Sequence, residues 1–512
     1  MTISEDEQPR QQQQSTESQP LLQEPTPENT AHKPPPSRTI FWKLYALVFC
    51  INIAFQILIP AQTEVFENIY CKQWYHKHPR PDLPAHGPVP ESFCKISPVQ
   101  TQVSSLKGWL EVSQAVPGLL LSIPIGVLAD RIGRRHIFIA NASSIFLMQV
   151  WITAVTWLDG RFPLRTVWLS GAFGLFTGGT IVTEMLFVCI LSDISPEGRL
   201  ADAFFRATSF SYLGRMLGPF VAGILMRWSP WYPVYLGLGI LGFTIIVVLS
   251  LPETLHLQDH NDEAEETTSE HEEGPQTTTT PPAPPKRSGF SFADSQMSIR
   301  RVLKIWSDWR LVFVALTLPF KIIYYALNDL VQRYVSDRYG WTLANATLLY
   351  SIQAAATTVM LLTILPLMSN YIDSRFSISV LQKNVVMTRA SLFVLALAYA
   401  VTGLAPNPII MVIGMFIETL STGLPATMRA LAAALVSNQD KGTVFSVMAV
   451  AETLSTMMAY PVTAMLFNIG LEHGGGAWLG LPYDFVSVAA AFAGIIMCLL
   501  RFERPHLIGL KR

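Results

Sequence analysis

Charge is what this chain has least of. Only 14% of its 512 residues are Asp, Glu, Lys or Arg, where a soluble protein carries roughly a quarter. Half the residues are hydrophobic. The deficit is uneven: charges crowd the N-terminal tail, a central segment and a few short connections, and long stretches between them hold almost none. A net charge of −1 without a long Lys/Arg run gives no general attraction to nucleic acid. No Gly-Lys pair occurs anywhere, which excludes a P-loop and with it an ATP-driven pump. No His/Cys/Asp cluster has metal-ligand spacing and no nucleophile motif stands out, so no metal, no cofactor and no enzyme activity are expected. Cysteine is scarce too. Of the five, Cys50, Cys189 and Cys498 lie inside apolar runs, where a thiol acts as a small buried hydrophobe. A cleavable signal peptide is also missing, because the first residues are polar and acidic, so the first apolar run is expected to serve as an uncleaved signal.

What fills the uncharged stretches is a series of apolar runs near the roughly 20 residues needed to cross hydrocarbon. They cover 41–60, 106–128, 137–157, 166–190, 204–226, 231–251, 309–329, 343–367, 386–404, 408–434, 444–468 and 483–500. Twelve runs predict an all-α membrane protein with both termini on one side. One set of short connections carries Arg131, Arg134, Arg135, Arg199, Arg206, Arg375, Lys383, Arg389 and Lys441, and the chain end adds Arg501, Arg504, Lys511 and Arg512. The opposite set holds only Arg161, Arg165, Arg227, Arg333 and Arg338. The positive-inside rule then places both termini in the cytoplasm.

Two connections are long. The first, 66–105, faces outward and holds Cys71 and Cys94, and an oxidising exterior favours a disulfide between them. The second runs through NDEAEETTSEHEEG into TTTTPPAPPKR, a composition that does not order itself. The expected organisation is a disordered cytoplasmic tail over 1–38, a six-helix bundle over 39–254, a disordered linker over 255–305, a second six-helix bundle over 306–503 and a cytoplasmic tail over 504–512. An internal duplication is the natural suspicion. ESQPLL at 17–22 fits an acidic dileucine sorting signal, which sets a vacuolar membrane against the plasma membrane as the destination. The sequons at Asn141 and Asn345 are expected to be unused, the first lying inside a span and the second too near the membrane.

The most informative string is GVLADRIGRR at 126–135, between the second and third runs. Gly126 ends a helix where packing is close, Asp130 and Arg131 sit at the membrane edge, and Gly133 makes the turn. Arg134 and Arg135 anchor the turn in the cytoplasm. The string resembles the G-x-L-A-D-R-x-G-R-R signature of the major facilitator superfamily at each specified position. LPET at 251–254 and SDISPEGR at 192–199 resemble further family strings, and the likeness spans 41–503. It implies two six-helix bundles around a cavity that opens alternately to either face. It also implies that Asp130 helps close the cytoplasmic side against the N-terminus of the eleventh helix, near Gly442 and Thr443, where a helix dipole stabilises a carboxylate.

GRMLGPFVAG at 214–223 resembles the family's antiporter motif, with Ala222 in place of one glycine and Arg215 inserted. Gly214, Gly218 and Gly223 permit close helix approach, and Pro219 permits a bend. The bland reading is ordinary small-residue packing. GLFTGGTIV in the fourth run lacks the Arg that many relatives carry there, so the family's proton-relay role cannot be transferred to it. Glu111, Glu184, Arg206, Arg215, Lys321, Glu418, Arg429 and Glu452 lie inside spans, where a charge costs several kcal/mol or so unless it faces a cavity or a partner. Lys321 and Glu418 fall near the midplane, with Glu184 and Arg215 as their counterparts in the first half. Arg429 and Glu452 are placed to pair, either as a structural lock or as a substrate contact.

Three functions compete. The first is proton-driven export of a small organic molecule, supported by the antiporter-like string. The cysteine-bracketed first loop and the GLEHGGGAWLGLP stretch ending at Pro482 point the same way, since both resemble fungal facilitators that export secondary metabolites or toxins. The second is a proton symporter importing a nutrient such as an organic anion. The third is a non-transporting receptor. The expected partners are membrane lipid, a small-molecule substrate and protons, with no nucleic acid, and the expected state is a monomer.

Overall fold

The computed structural model describes residues 38–81, 89–159, 161–195, 200–253, 319–365, 367–368, 380–435 and 441–500. In hydrocarbon every backbone N–H and C=O must find a partner within the protein, so long apolar runs fold as helices. Among the described residues there are helices and connections and no β-strand. The 1–37 tail with ESQPLL, the linker, the end of SDISPEGR and the C-terminal tail lie outside the described residues.

The first half holds α1 (Arg38–Lys77), α2 (Ser97–Ile132) and α3 (Arg134–Trp157). Next comes α4 (Gly179–Ile194), reached through a 3-10 turn at Leu164–Ser170 and a short turn of helix at Gly171–Gly174. Then follow α5 (Leu200–Met226) and α6 (Trp231–Leu249). The second half opens with α7 (Pro319–Tyr339) and α8 (Leu343–Val359), which a π-helical turn at Met360–Ile364 prolongs. After α9 (Val380–Leu404) comes α10 in two pieces, Pro408–Thr419 and Leu424–Leu435. The last two are α11 (Lys441–Glu472) and α12 (Leu481–Leu499).

Among the described residues, eight of these stretches are long and apolar enough to cross a bilayer by length and composition alone. The four that fall short are α2, α5, α7 and α11, and these pack between the halves: α2 on α11, α5 on α8, α7 on α2. A helix shielded from lipid by its neighbours can hold charge and hydroxyls that a lipid-facing one cannot. Each half has its own core. Tyr334, Tyr399, Phe467 and Tyr483 anchor one, and Leu44, Tyr45, Phe138 and Leu186 anchor the other. A smaller cluster joins Ile57, Ala222 and Met226 to Leu343 and Ala344 across the halves.

Several boundaries differ from the sequence expectation. α1 continues past residue 60 to Lys77 and α2 begins at Ser97, so most of the 66–105 connection is helical. Residues 61–77 contain no Gly or Pro to stop the helix, and Pro98 suits the first turn of the next one. α7 likewise runs past 329 to Tyr339. The fourth run, expected to be continuous, breaks before Gly178 and Gly179, which adopt φ of +79° and +62°. That left-handed pair cannot continue a right-handed helix.

Candidate functional site

The GVLADRIGRR string forms the end of α2 and the start of α3. Gly133 has φ +109°, and a Cβ there would lie 2.6 Å from Glu253 Oε2. Arg134 is 7% exposed and its guanidinium pairs with Asp193 at the end of α4. The Arg134 N–H donates to Glu253 Oε1 at 3.0 Å, and Arg135 Nη2 donates to the Leu249 carbonyl at 2.6 Å. Three strings separate in sequence therefore meet at one place, binding α3 to the ends of α4 and α6. A guanidinium this buried needs a carboxylate partner, so Arg134 does more than mark a side of the membrane. Gly126 faces Met185 of α4 at ordinary contact distance, and Arg131 is exposed. The side chains of Asp130 and Thr443 lie outside the described residues.

The antiporter-like string is a packing surface. A Cβ on Gly218 would fall 2.4 Å from Gln56 Cβ, and one on Gly214 would fall 3.0 Å from Asn52 Cβ, both on α1. A Cβ on Gly223 would meet Leu348 Cγ of α8 at 2.7 Å, so a different face of α5 packs against the other half. Pro219 is buried within α5. Arg215 Nε donates to Asn52 Oδ1 at 3.3 Å, and its guanidinium lies over the Tyr212 ring.

The mid-span carboxylates sit beside helix breaks in corresponding helices of the two halves. The fourth run is interrupted at Leu175-Phe176-Thr177-Gly178, just before α4, and α10 at Leu420-Ser421-Thr422-Gly423, the same L-x-T-G pattern. Interrupted segments at matching positions are the usual pointer to a transport site. Buried Asn141 closes the first break: its amide donates to the Thr177 and Gly179 carbonyls, and its oxygen accepts from Thr183. The Ser421 and Thr422 hydroxyls close the second on the Glu418 and Thr419 carbonyls. Glu184 is exposed on α4. Glu418 is 5% exposed and accepts from Tyr399 Oη and Gln353 Nε2, each at 2.8 Å, joining α8, α9 and α10. The side chain of Lys321 lies outside the described residues. Arg429 Nη2 bridges both carboxylate oxygens of Glu452 at 2.7 and 2.9 Å, with the guanidinium about half exposed.

One site was not anticipated. Lys107 on α2 pairs with Asp329 on α7 at 2.5 Å and donates to Thr63 Oγ1 of α1 at 2.8 Å. Arg333 backs Asp329 at 3.4 Å, and Glu111 shares the same field. Further toward the Cys71–Cys94 disulfide, Lys95 pairs with Glu67 and Glu91. Hydroxyl and amide contacts reinforce this face: Ser104 to the Ala464 carbonyl, Asn468 to Ser105, and Ser351 to the Met216 carbonyl. The disulfide-bearing face is therefore closed by contacts between the halves. Lys107 was visible as a cation inside an apolar run, but its partner stands 222 residues away, beyond any local pattern. Among the described residues no three His, Cys, Asp or Glu side chains are grouped to hold a metal.

Comparison with known proteins agrees with this arrangement. The chain is 26% identical over 496 residues to the MFS efflux pump atnC of Emericella nidulans, covering 94% of this chain and 92% of that one. It is 24% identical over 436 residues to the efflux pump ustT of Aspergillus flavus, covering 84% and 82%. Among solved structures the fold matches the nucleoside transporter NupG with a TM-score of 0.60 at 14% identity, over 90% of this chain and all of that one. It matches a D-xylose-proton symporter with a TM-score of 0.58 at 13% identity, over 89% and 97%. The family model for the Major Facilitator Superfamily matches residues 44–460. This chain, a multi-pass membrane transporter, belongs to the major facilitator superfamily.

Proposed function

We propose that the protein exports a small organic molecule in exchange for protons, acting as a transporter and not as an enzyme. The observation that carries this reading is the near full-length similarity to fungal proteins described as efflux pumps. The two aligned helix breaks support a mid-membrane site, with Glu184 and Glu418 as the carboxylates beside it. Lys321, Arg215, Arg429 and Glu452 are further candidates for coupling or substrate contact. In this reading the disulfide-bearing face points outward, since a disulfide persists in an oxidising compartment. Both termini are then cytoplasmic, the host membrane is the plasma membrane and the working unit is a monomer. Asp130 would close the opposite face against the N-terminus of α11, where the dipole favours a carboxylate.

The test is a comparison of small molecules inside cells and in the medium, with and without the intact protein. Export predicts a compound retained in cells lacking it and depleted outside. A compound left behind in the medium of those cells would reverse the direction and make the protein an importer.

A further inference from the structure

On the disulfide-bearing face the turn Glu91–Cys94 reaches from the first half to the second. Cys94 is bonded to Cys71 of α1, and Tyr75 of α1 donates its hydroxyl to the Phe93 carbonyl at 2.9 Å, so the turn moves with α1. Its Glu91 carboxylate accepts the N–H of Leu343, the first residue of α8, at 2.8 Å. The first N–H groups of a helix have no partner within it, and its N-terminus favours negative charge. Thr342, the cap of α8 itself, is engaged with the Asn345 N–H, so Glu91 supplies a second cap from the other half.

The surroundings are crowded with carboxylates. Lys95 pairs with Glu91 at 3.1 Å and with Glu67 at 2.7 Å. Facing them from α7 is Asp337, whose two carboxylate oxygens are buried without a hydrogen-bond partner among the described residues. Its charged neighbours are Lys95 on the loop, Glu67 on α1, Arg333 on α7 and Glu91 on the turn, while Glu64 faces Glu91, Glu67 and Lys95. Four carboxyls thus stand beside two cations when this face is closed. Such a set is neutral only if some of the carboxyls hold protons.

We propose that Glu91 is the latch of this face, a positioning residue that closes the transport path by capping α8 from the opposite half, and that proton uptake by Asp337 and Glu64 sets how firmly it holds. This rests on the reading of the chain as a transporter that opens alternately to its two faces. Asp337 and Glu64 lie past the apolar runs 309–329 and 41–60, toward the disulfide-bearing ends of α7 and α1. Burial pushes each carboxyl up to about 8, with Glu67 and Glu91 adding to the rise and Lys95 opposing it. Opening would return both groups to water and to an ordinary value near about 4. The closed face therefore binds more protons than the open one. It loses stability as pH rises from about 4 to about 8, and opening is favoured at the alkaline end. Protons taken up here go back to the side they came from. The latch biases the cycle without carrying the exchanged proton.

The experiment uses the full chain in lipid nanodiscs, at equal pH on both sides. Cys50, Cys189 and Cys498 are replaced by serine, and nitroxide labels are placed at Phe162→Cys and Asn345→Cys, exposed positions of opposite halves. The labelled parent should show a short distance at pH 5 and a long-distance population that grows several-fold by pH 8.5. Glu91→Gln should raise that population about fivefold at both pH values, the worth of one helix cap. Glu64→Gln with Asp337→Asn should stay closed and lose the pH response. The latch is overturned by a parent distribution indifferent to pH, by Glu91→Gln matching the parent, or by a pH response that survives in the double variant. Parent flux indifferent to an imposed pH gradient, with these distances behaving as expected, would count against proton exchange and leave the latch standing.

Discussion

Lys107 on α2 and Asp329 on α7 meet at 2.5 Å with side chains 7% and 11% exposed, a buried ion pair that joins the two halves of the chain. Thr63 completes the ammonium's contacts and Arg333 those of the carboxylate. Removing one partner of such a pair strands the other charge away from water, at a cost of about 3–5 kcal/mol. Replacing both by apolar groups removes the desolvation penalty along with the attraction, and is often nearly neutral. Asp329→Asn should therefore lower the thermal unfolding midpoint in detergent clearly, and Lys107→Met with Asp329→Leu should recover most of it. Equal midpoints for the single and double variants would show that the two charges are not coupled.

A second prediction concerns the turn between α2 and α3. Gly133→Ala must hold an L-residue at φ +109° and place its Cβ against the Glu253 carboxylate. Strain of this kind costs about 1–3 kcal/mol. The displaced Glu253 would also release the Arg134 N–H. The yield of monodisperse protein should fall, and Glu253→Ala in the same background should restore part of it by relieving the contact. No recovery in the double variant would leave the backbone conformation as the sole cause.

How far the sequence could be read follows from where each partner lies. The helices were legible because lipid forces apolar runs into one backbone form, and the disulfide because its two cysteines share one connection. GVLADRIGRR, SDISPEGR and LPET were each recognisable, but nothing local says that Arg134, Asp193 and Glu253 converge. Lengths were underestimated in α1 and α7 because hydropathy ends at the membrane surface while a helix continues until something stops it. The breaks before α4 and within α10 were written in plain view as LFTG and LSTG. They are too short to stand out as a repeat without the structure to align them. Glu418 was read as a midplane carboxylate from its depth, but its binding to Tyr399 and Gln353 depends on two other helices.

The disulfide closes a segment with a sequence separation of 23, for which the chain-entropy estimate is about 3 kcal/mol. It also ties the Glu91 turn to α1. Cys71→Ser with Cys94→Ser should lower the unfolding midpoint by several degrees, and a reductant should do the same to the parent protein but not to the variant. Peptide mapping of the mature protein without reduction should recover residues 71 and 94 in one linked species. Two free thiols there would refute both statements.

The last prediction concerns proton coupling. A proton carrier needs a carboxyl that can gain and lose its proton during the cycle, and Glu418 and Glu184 differ in how that could occur. Glu418 accepts from Tyr399 and Gln353 within the second half, so it can release or take a proton only when α8, α9 or α10 shifts. The break at Leu420–Gly423 lies beside it and gives α10 a place to bend without moving the whole helix. Glu184 is exposed on α4 and is not enclosed by neighbouring helices as Glu418 is. Glu418→Gln should fold well, because the amide oxygen can still accept from Gln353 and the Tyr399 hydroxyl can turn to accept from the amide nitrogen. The measurement is substrate flux in proteoliposomes under an imposed pH gradient, for the parent, Glu418→Gln and Glu184→Gln. The coupling residue is the one whose replacement abolishes gradient-driven flux by tenfold or so while leaving exchange at equal pH. We expect that outcome for Glu418→Gln and a loss of no more than about threefold for Glu184→Gln. Parent flux indifferent to the gradient would make the protein a uniporter and remove both assignments together.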